Sequence, residues 1–142
     1  DARQKIDAYK RIIAIRSLGD VEDVADELVD RFGSLPDPVK NLLDIARLRV
    51  HCNRLGITSI AQMRDRVTVK FLPSAARQFP FDRLVFLNRR GEFRGRIEAP
   101  RSLKATSFGV KVHGLDARSM LRMLLLLMEQ LREEMAPTAA RG

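Results

Sequence analysis

A helix cannot run unbroken through residues 33–38. The string there is Gly33-Ser34-Leu35-Pro36-Asp37-Pro38, with apolar residues at helical spacing on both sides. Proline has no N–H to donate and clashes with the preceding turn, and glycine is the residue that most readily adopts the left-handed conformation closing a helix. Two separate helices must therefore meet here. On the N-terminal side, Val21, Val24, Ala25, Leu28, Val29 and Phe32 form one apolar stripe over 21–32. Asp20 is expected to cap that helix and Gly33 to close it. On the C-terminal side a helix is expected to run to about Arg54. Its start is either Ser34, with Asp37 three residues on as a near capping box, or Asp37 followed by Pro38. Val39, Leu42, Leu43, Ala46 and Val50 make its stripe. Ile45, Leu48 and Cys52 widen it, so burial on two sides is expected.

A first helix is expected over 3–17, with Ile6, Tyr9, Ile12 and Ile13 at helical spacing and Gly19 as a stop. After Gly56 the period changes from helical to alternating. "ITSIAQM" and "RVTVKFL" are rich in β-branched residues and read as strands, with Asp65 and Arg66 in a hairpin turn. Residues 82–90 fit either a helix capped by Asp82 or a hairpin around Asn88–Gly91. Short strands follow near 93–98 and 103–112. A long helix runs from about Asp116 to Met135, its core side carrying Met120, Leu121, Leu124, Leu127, Met128 and Leu131, and Pro137 begins a frayed tail. The fold class is α+β: a three-helix N-terminal segment, a small, mainly antiparallel sheet and a long C-terminal helix. The 142 residues suit a single domain, with 1–18 readable as a connector helix, 20–56 as the helical part and 57–136 as sheet plus final helix. A start at Asp1 reads as a piece cut from a longer protein. No apolar run reaches the roughly 18 residues of a membrane span, so no membrane partner is expected. A single cysteine, Cys52, excludes an internal disulfide and fits a reducing cytoplasm.

Charge is unevenly placed. The net +8 comes wholly from 57–111, which holds twelve basic and four acidic residues, while the flanking parts cancel. Residues 20–30 hold six acids and no base. Asp20, Asp23, Glu27 and Asp30 are spaced 3, 4 and 3 apart, which puts them in one row opposite the apolar stripe. A solvated face is the usual explanation of such a row. Asp20 and Asp23 favour the N-terminal end of the helix dipole, but Glu27 and Asp30 lie near the other end, where negative charge gains nothing. That mismatch points to a partner. In the basic region, arginines including Arg89, Arg90, Arg94 and Arg96 are interleaved with Phe71, Phe79, Phe81, Phe86, Phe93 and Phe108. Basic groups with stacking aromatics suit a single-stranded nucleic acid; phenylalanines building a core is the plainer alternative. Chemistry is absent from the sequence. No phosphate-binding glycine loop is present, since "RRGEFRG" lacks the spacing. His51 and His113 are isolated and no cluster has metal spacing, so no catalytic residue, metal or cofactor is expected. His51 and Cys52 point about 100° apart on a helix and read as a partly exposed His beside a packed Cys.

The strings "YKRI" at 9–12, "ELVDRFGSLPDPVKNLLDIARLR" at 27–49 and "LGI" at 55–57 resemble the C-terminal domain of the bacterial transcription-repair coupling factor family, Mfd. From residue 66 onward the likeness is one of pattern, and 73–111 departs most in its arginine content. The resemblance tips residues 82–90 towards helix. It implies a regulatory domain without catalysis of its own, since the family's ATPase motifs lie upstream. The longer protein would be a DNA translocase that removes stalled RNA polymerase and recruits the repair protein UvrA, so polymerase and DNA are expected partners of the longer protein only. The resemblance further implies docking on that protein's own UvrB-like module, with UvrA competing for the covered surface. The docking face carried over is Glu27 and Asp30 of "ELVDRFG", extended here to Asp20 and Asp23. Arg31 would orient Glu27 at i, i+4.

Overall fold

The structure, a computed structural model, describes residues 2–135. They fall into two compact units divided between Val50 and His51.

The first unit is helical: α1 (Ala2–Ile13), α2 (Leu18–Phe32) and the N-terminal part of α3 (Asp37–Leu55). Its core gathers Ile12, Ile15, Val21, Val24, Leu28, Leu43, Ala46 and Val50. Burying side chains of this kind contributes ~1.5–3 kcal/mol each for the larger ones, which outweighs the propensity cost of β-branched residues in α2. The start of α2 differs from expectation. Ser17, not Asp20, is the N-cap, and its hydroxyl accepts the Asp20 N–H at 3.1 Å. The Asp20 carboxylate reaches back to the Ser17 N–H at 3.1 Å, completing a capping box with Asp20 at its third position. Gly19 thus lies inside the first turn and does not act as a stop. Gly33 closes α2 at φ 77° as expected. α3 takes neither expected start: the Pro36 carbonyl accepts the Lys40 N–H at 3.1 Å, and Asp37 opens the helix. Three apolar residues expected inside are outside. Val29, Phe32 and Ile45 are 46%, 42% and 47% exposed, because the stripe needed to meet the neighbouring helices is narrower than the run of apolar residues supplies. Arg47 ties α2 to α3, donating to Glu22 at 2.7 Å and to the buried Asp44 at 2.9 Å.

The second unit holds a four-stranded antiparallel sheet of order β1-β2-β4-β3, from β1 (Ile57–Met63), β2 (Arg66–Phe71), β3 (Ile97–Glu98) and β4 (Ser107–Lys111). The β1–β2 turn is Arg64-Asp65, one residue earlier than expected, and Met63 pairs with Arg66. Arg64 takes a positive φ of 56° at its first position. Gly56, at φ 77°, turns the chain from α3 into β1. β2 alternates strictly, so Val67, Val69 and Phe71 face inward while Arg66, Thr68 and Lys70 face out. α4 (Pro73–Gln78) and α5 (Arg83–Leu87) form the crossover, so the ambiguous stretch is helical, though only over 83–87, with a turn at 88–90; Asp82 precedes α5 without a side-chain cap bond. Asn88 instead pins the crossover to β3, its Oδ1 accepting the Ile97 N–H at 2.8 Å. The last element is α6 (Ala117–Met135), capped by Asp116, whose carboxylate accepts the Ser119 N–H at 2.8 Å. Leu121, Leu124, Leu127, Met128 and Leu131 are buried as expected, and Met123 and Leu125 join them. The tail from Pro137 lies outside the described residues.

Candidate functional site

The acidic row of α2 is present, but its four members do different things. Asp20 is consumed by the cap: it also accepts the Arg16 N–H at 2.9 Å, and these backbone donors hold its carboxyl below the usual carboxylate range. Glu27 is clamped from two sides. Arg11 of α1 pairs with Oε2, and Arg31 lies 3.9 Å from Oε1, the i, i+4 relation expected. The Arg31 guanidinium also stands over the Phe32 ring at 5.2 Å. Asp23 and Asp30 are exposed. Asp23 shares a shallow recess with Arg11, Ala14, Ile15 and Asp20 at the α1–α2 contact. The row is thus split into an edge engaged with α1 and the exposed pair Asp23 and Asp30. Three residues near it escaped the sequence reading. Val29 and Phe32 give the C-terminal end of α2 an exposed apolar character, which their membership of an apolar stripe concealed. Arg11 could not be linked to Glu27 by any spacing rule, since the two stand sixteen residues apart on different helices.

The basic region does not hold together as a stacking platform. Phe71, Phe79, Phe93 and Phe108 are buried. Phe71 packs at centroid distances of 4.5 Å on Phe79 and 5.7 Å on Phe81, with Phe79 and Phe108 stacked at 6.3 Å. These rings are core, and of the six interleaved phenylalanines Phe86 alone is largely exposed, with the Arg83 guanidinium 6.0 Å from its centroid. Arg96 is spent on structure: one guanidinium nitrogen donates to the Lys111 and His113 carbonyls at 3.1 and 3.0 Å. Arg66 pairs with Glu98 at 2.7 Å. Arg89, Arg90 and Arg94 are exposed around the short turn that follows α5.

His51 and Cys52 reverse the expected roles. His51 is 3% exposed and Cys52 is half-buried, because the helix turns the imidazole inward. Arg132 of α6 donates to His51 Nδ1 at 3.3 Å, which requires that nitrogen to be unprotonated. Burial, with the nearby Arg132 and Arg54 charges, pushes the imidazole pKa down. Burial raises the Cys52 thiol to about 11. Among the described residues, no group of three or more His, Cys, Asp or Glu could hold a metal ion, and no helix is long and apolar enough to cross a membrane.

A capped helical unit followed by an antiparallel sheet and a long closing helix defines a small α+β domain whose distinctive surface is one charged helix. Residues 1–80 match the TRCF domain model, and the chain belongs to that family, as a domain of transcription-repair coupling factors. It is 45% identical over 60 residues to the transcription-repair-coupling factor of Escherichia coli, a match covering 42% of this chain. With that of Bacillus subtilis it shares 25% identity over 133 residues, or 94% of the chain. The chain spans only 5% and 11% of the lengths of these two relatives. A solved C-terminal domain of a transcription-repair coupling factor superposes with a TM-score of 0.79 at 25% identity, covering 94% of this chain and 81% of that one. The fold is that of this C-terminal domain.

Proposed function

We propose that this chain is a non-catalytic, autoinhibitory domain that docks through the acidic face of α2. Its partner is the UvrB-like module of a longer transcription-repair coupling protein, and docking masks the surface that UvrA needs. Polymerase and DNA are partners of the longer protein. One observation carries the reading. Glu27 and Asp30 lie on a surface helix inside the family-matched segment, both near its C-terminal end, where the helix dipole gives negative charge no support. Asp23 extends the face, and Asp20 supports it through the helix cap rather than by contact. Exposed ion pairs are worth only ~0–1 kcal/mol, which suits a latch that has to open, and intramolecular tethering raises the effective concentration enough to keep weak contacts closed. The test is calorimetric titration of the chain with the separately expressed UvrB-like module. Wild type binds, UvrA competes, and Glu27→Arg with Asp30→Arg removes binding while circular dichroism stays unchanged. Equal binding by the double variant would show that this face is not the latch.

A further inference from the structure

We infer that Arg11 is an internal stand-in for the partner's cation, and that α1 must loosen before α2 can dock. This rests on the docking reading above. The carboxylate that docking needs is already occupied. Glu27 places one oxygen on Arg11 and turns the other towards Arg31, and its side chain remains 34% exposed. Arg31 comes from the same helix and moves with Glu27. Arg11 comes from α1, so only Arg11 can be exchanged for a group from outside. A carboxylate that holds the Arg11 cation through a single oxygen can hold another cation in its place, and the chemistry that recognises it is a basic side chain of the partner.

The helix carrying Arg11 is weakly held. Within α1, Ile12 is the one buried residue, whereas Ile6, Tyr9 and Ile13 are 53%, 50% and 62% exposed. Its remaining ties within the first unit include the Arg11–Glu27 pair and an Arg49 bond to the Ile12 carbonyl at 3.4 Å. Few buried apolar contacts and exposed backbone bonds are what mark a low-stability segment. α2 does not depend on α1 for its start, because its cap is closed by Ser17 of the connecting turn and Asp20 of its own first turn. Loosening α1 therefore frees Glu27 while leaving the acidic face helical. A basic side chain of the partner and Arg11 compete for one carboxylate, so Arg11 sets the affinity of the latch.

The experiment measures binding of the UvrB-like module to three variants of the chain. Arg11→Ala is expected to bind roughly two- to fivefold tighter than wild type, the range open to an exposed ion pair. Arg11→Lys is expected to fall between the two, and Glu27→Ala to bind far more weakly than all. Amide exchange in wild type supplies a readout that does not depend on any variant folding: α1 amides exchange faster when the module is saturating. If Glu27→Ala weakens binding while Arg11→Ala binds no tighter, or if α1 exchange does not rise, Arg11 is not a competitor and the docking reading stands without it. If Glu27→Ala binds like wild type, the docking reading itself falls, and the competition with it.

Discussion

Gly56 is the position where one side chain decides most. Its φ of 77° is left-handed, which costs other residues ~1–2 kcal/mol. A Cβ there would also stand 2.5 Å from the Ala75 Cβ, a distance real Cβ atoms do not reach. Neither atom is the end of a flexible side chain, so α4 would have to shift away from the turn. Gly56→Ala should therefore destabilise by at least ~1–2 kcal/mol from conformation alone, and more from overlap. Urea unfolding of Gly56→Ala, Ala75→Gly and the double variant separates the two effects. Ala75→Gly should restore the part due to overlap and none of the part due to φ, giving a measurable coupling between the sites. Loss of nothing in Gly56→Ala would mean that the α3–β1 turn is not built as described.

Among elements, α3 and α6 meet through a charge-sensitive contact. His51 is buried on α3 and accepts from Arg132 on α6, so it is neutral in the folded chain. Its folded pKa lies below the unfolded value of roughly 6.5. The unfolded chain therefore binds the proton first. The contribution of His51 is fully present above that unfolded value and declines as pH falls through it towards the lower folded one. Melting temperatures measured from pH 8 to pH 5 should fall across this window, and His51→Gln should flatten the decline; an unchanged slope in that variant would remove His51 as its source. The elements themselves were unevenly legible. α2, α3, α6 and the β1–β2 pair announced themselves because each is long enough to repeat its period several times. α4 and α5, at six and five residues, are too short to show one. The phenylalanines were ambiguous because alternation in a basic region looks the same whether the rings face a core or a ligand, and only the sheet's register decides. The acidic row was legible in full, yet its division was not. That division depends on how α1 lies along α2, which packing sets and spacing does not encode.

At the scale of the molecule, the charge pattern predicts how the chain meets polyanions. The basic excess of 57–111 remains at the surface at Arg89, Arg90 and Arg94, but the rings that could have stacked on bases are mostly buried. Contact with nucleic acid should thus be electrostatic alone. Binding should be weak, should favour double-stranded over single-stranded DNA of equal length because the duplex has the higher charge density, and should fall steeply as salt rises. A strong preference for single strands at moderate salt would contradict this and revive the stacking reading. The chain also contains its own reporter of opening. With the Cys52 thiol raised to about 11, only about one molecule in ten thousand carries a thiolate at neutral pH, so alkylating reagents meet an almost inert group. Unfolding returns the thiol to its ordinary acidity of roughly 8.5 and to solvent together. The rate at which a maleimide consumes this single thiol therefore rises as denaturant unfolds the helix that carries it, and that rise can be read without any introduced label.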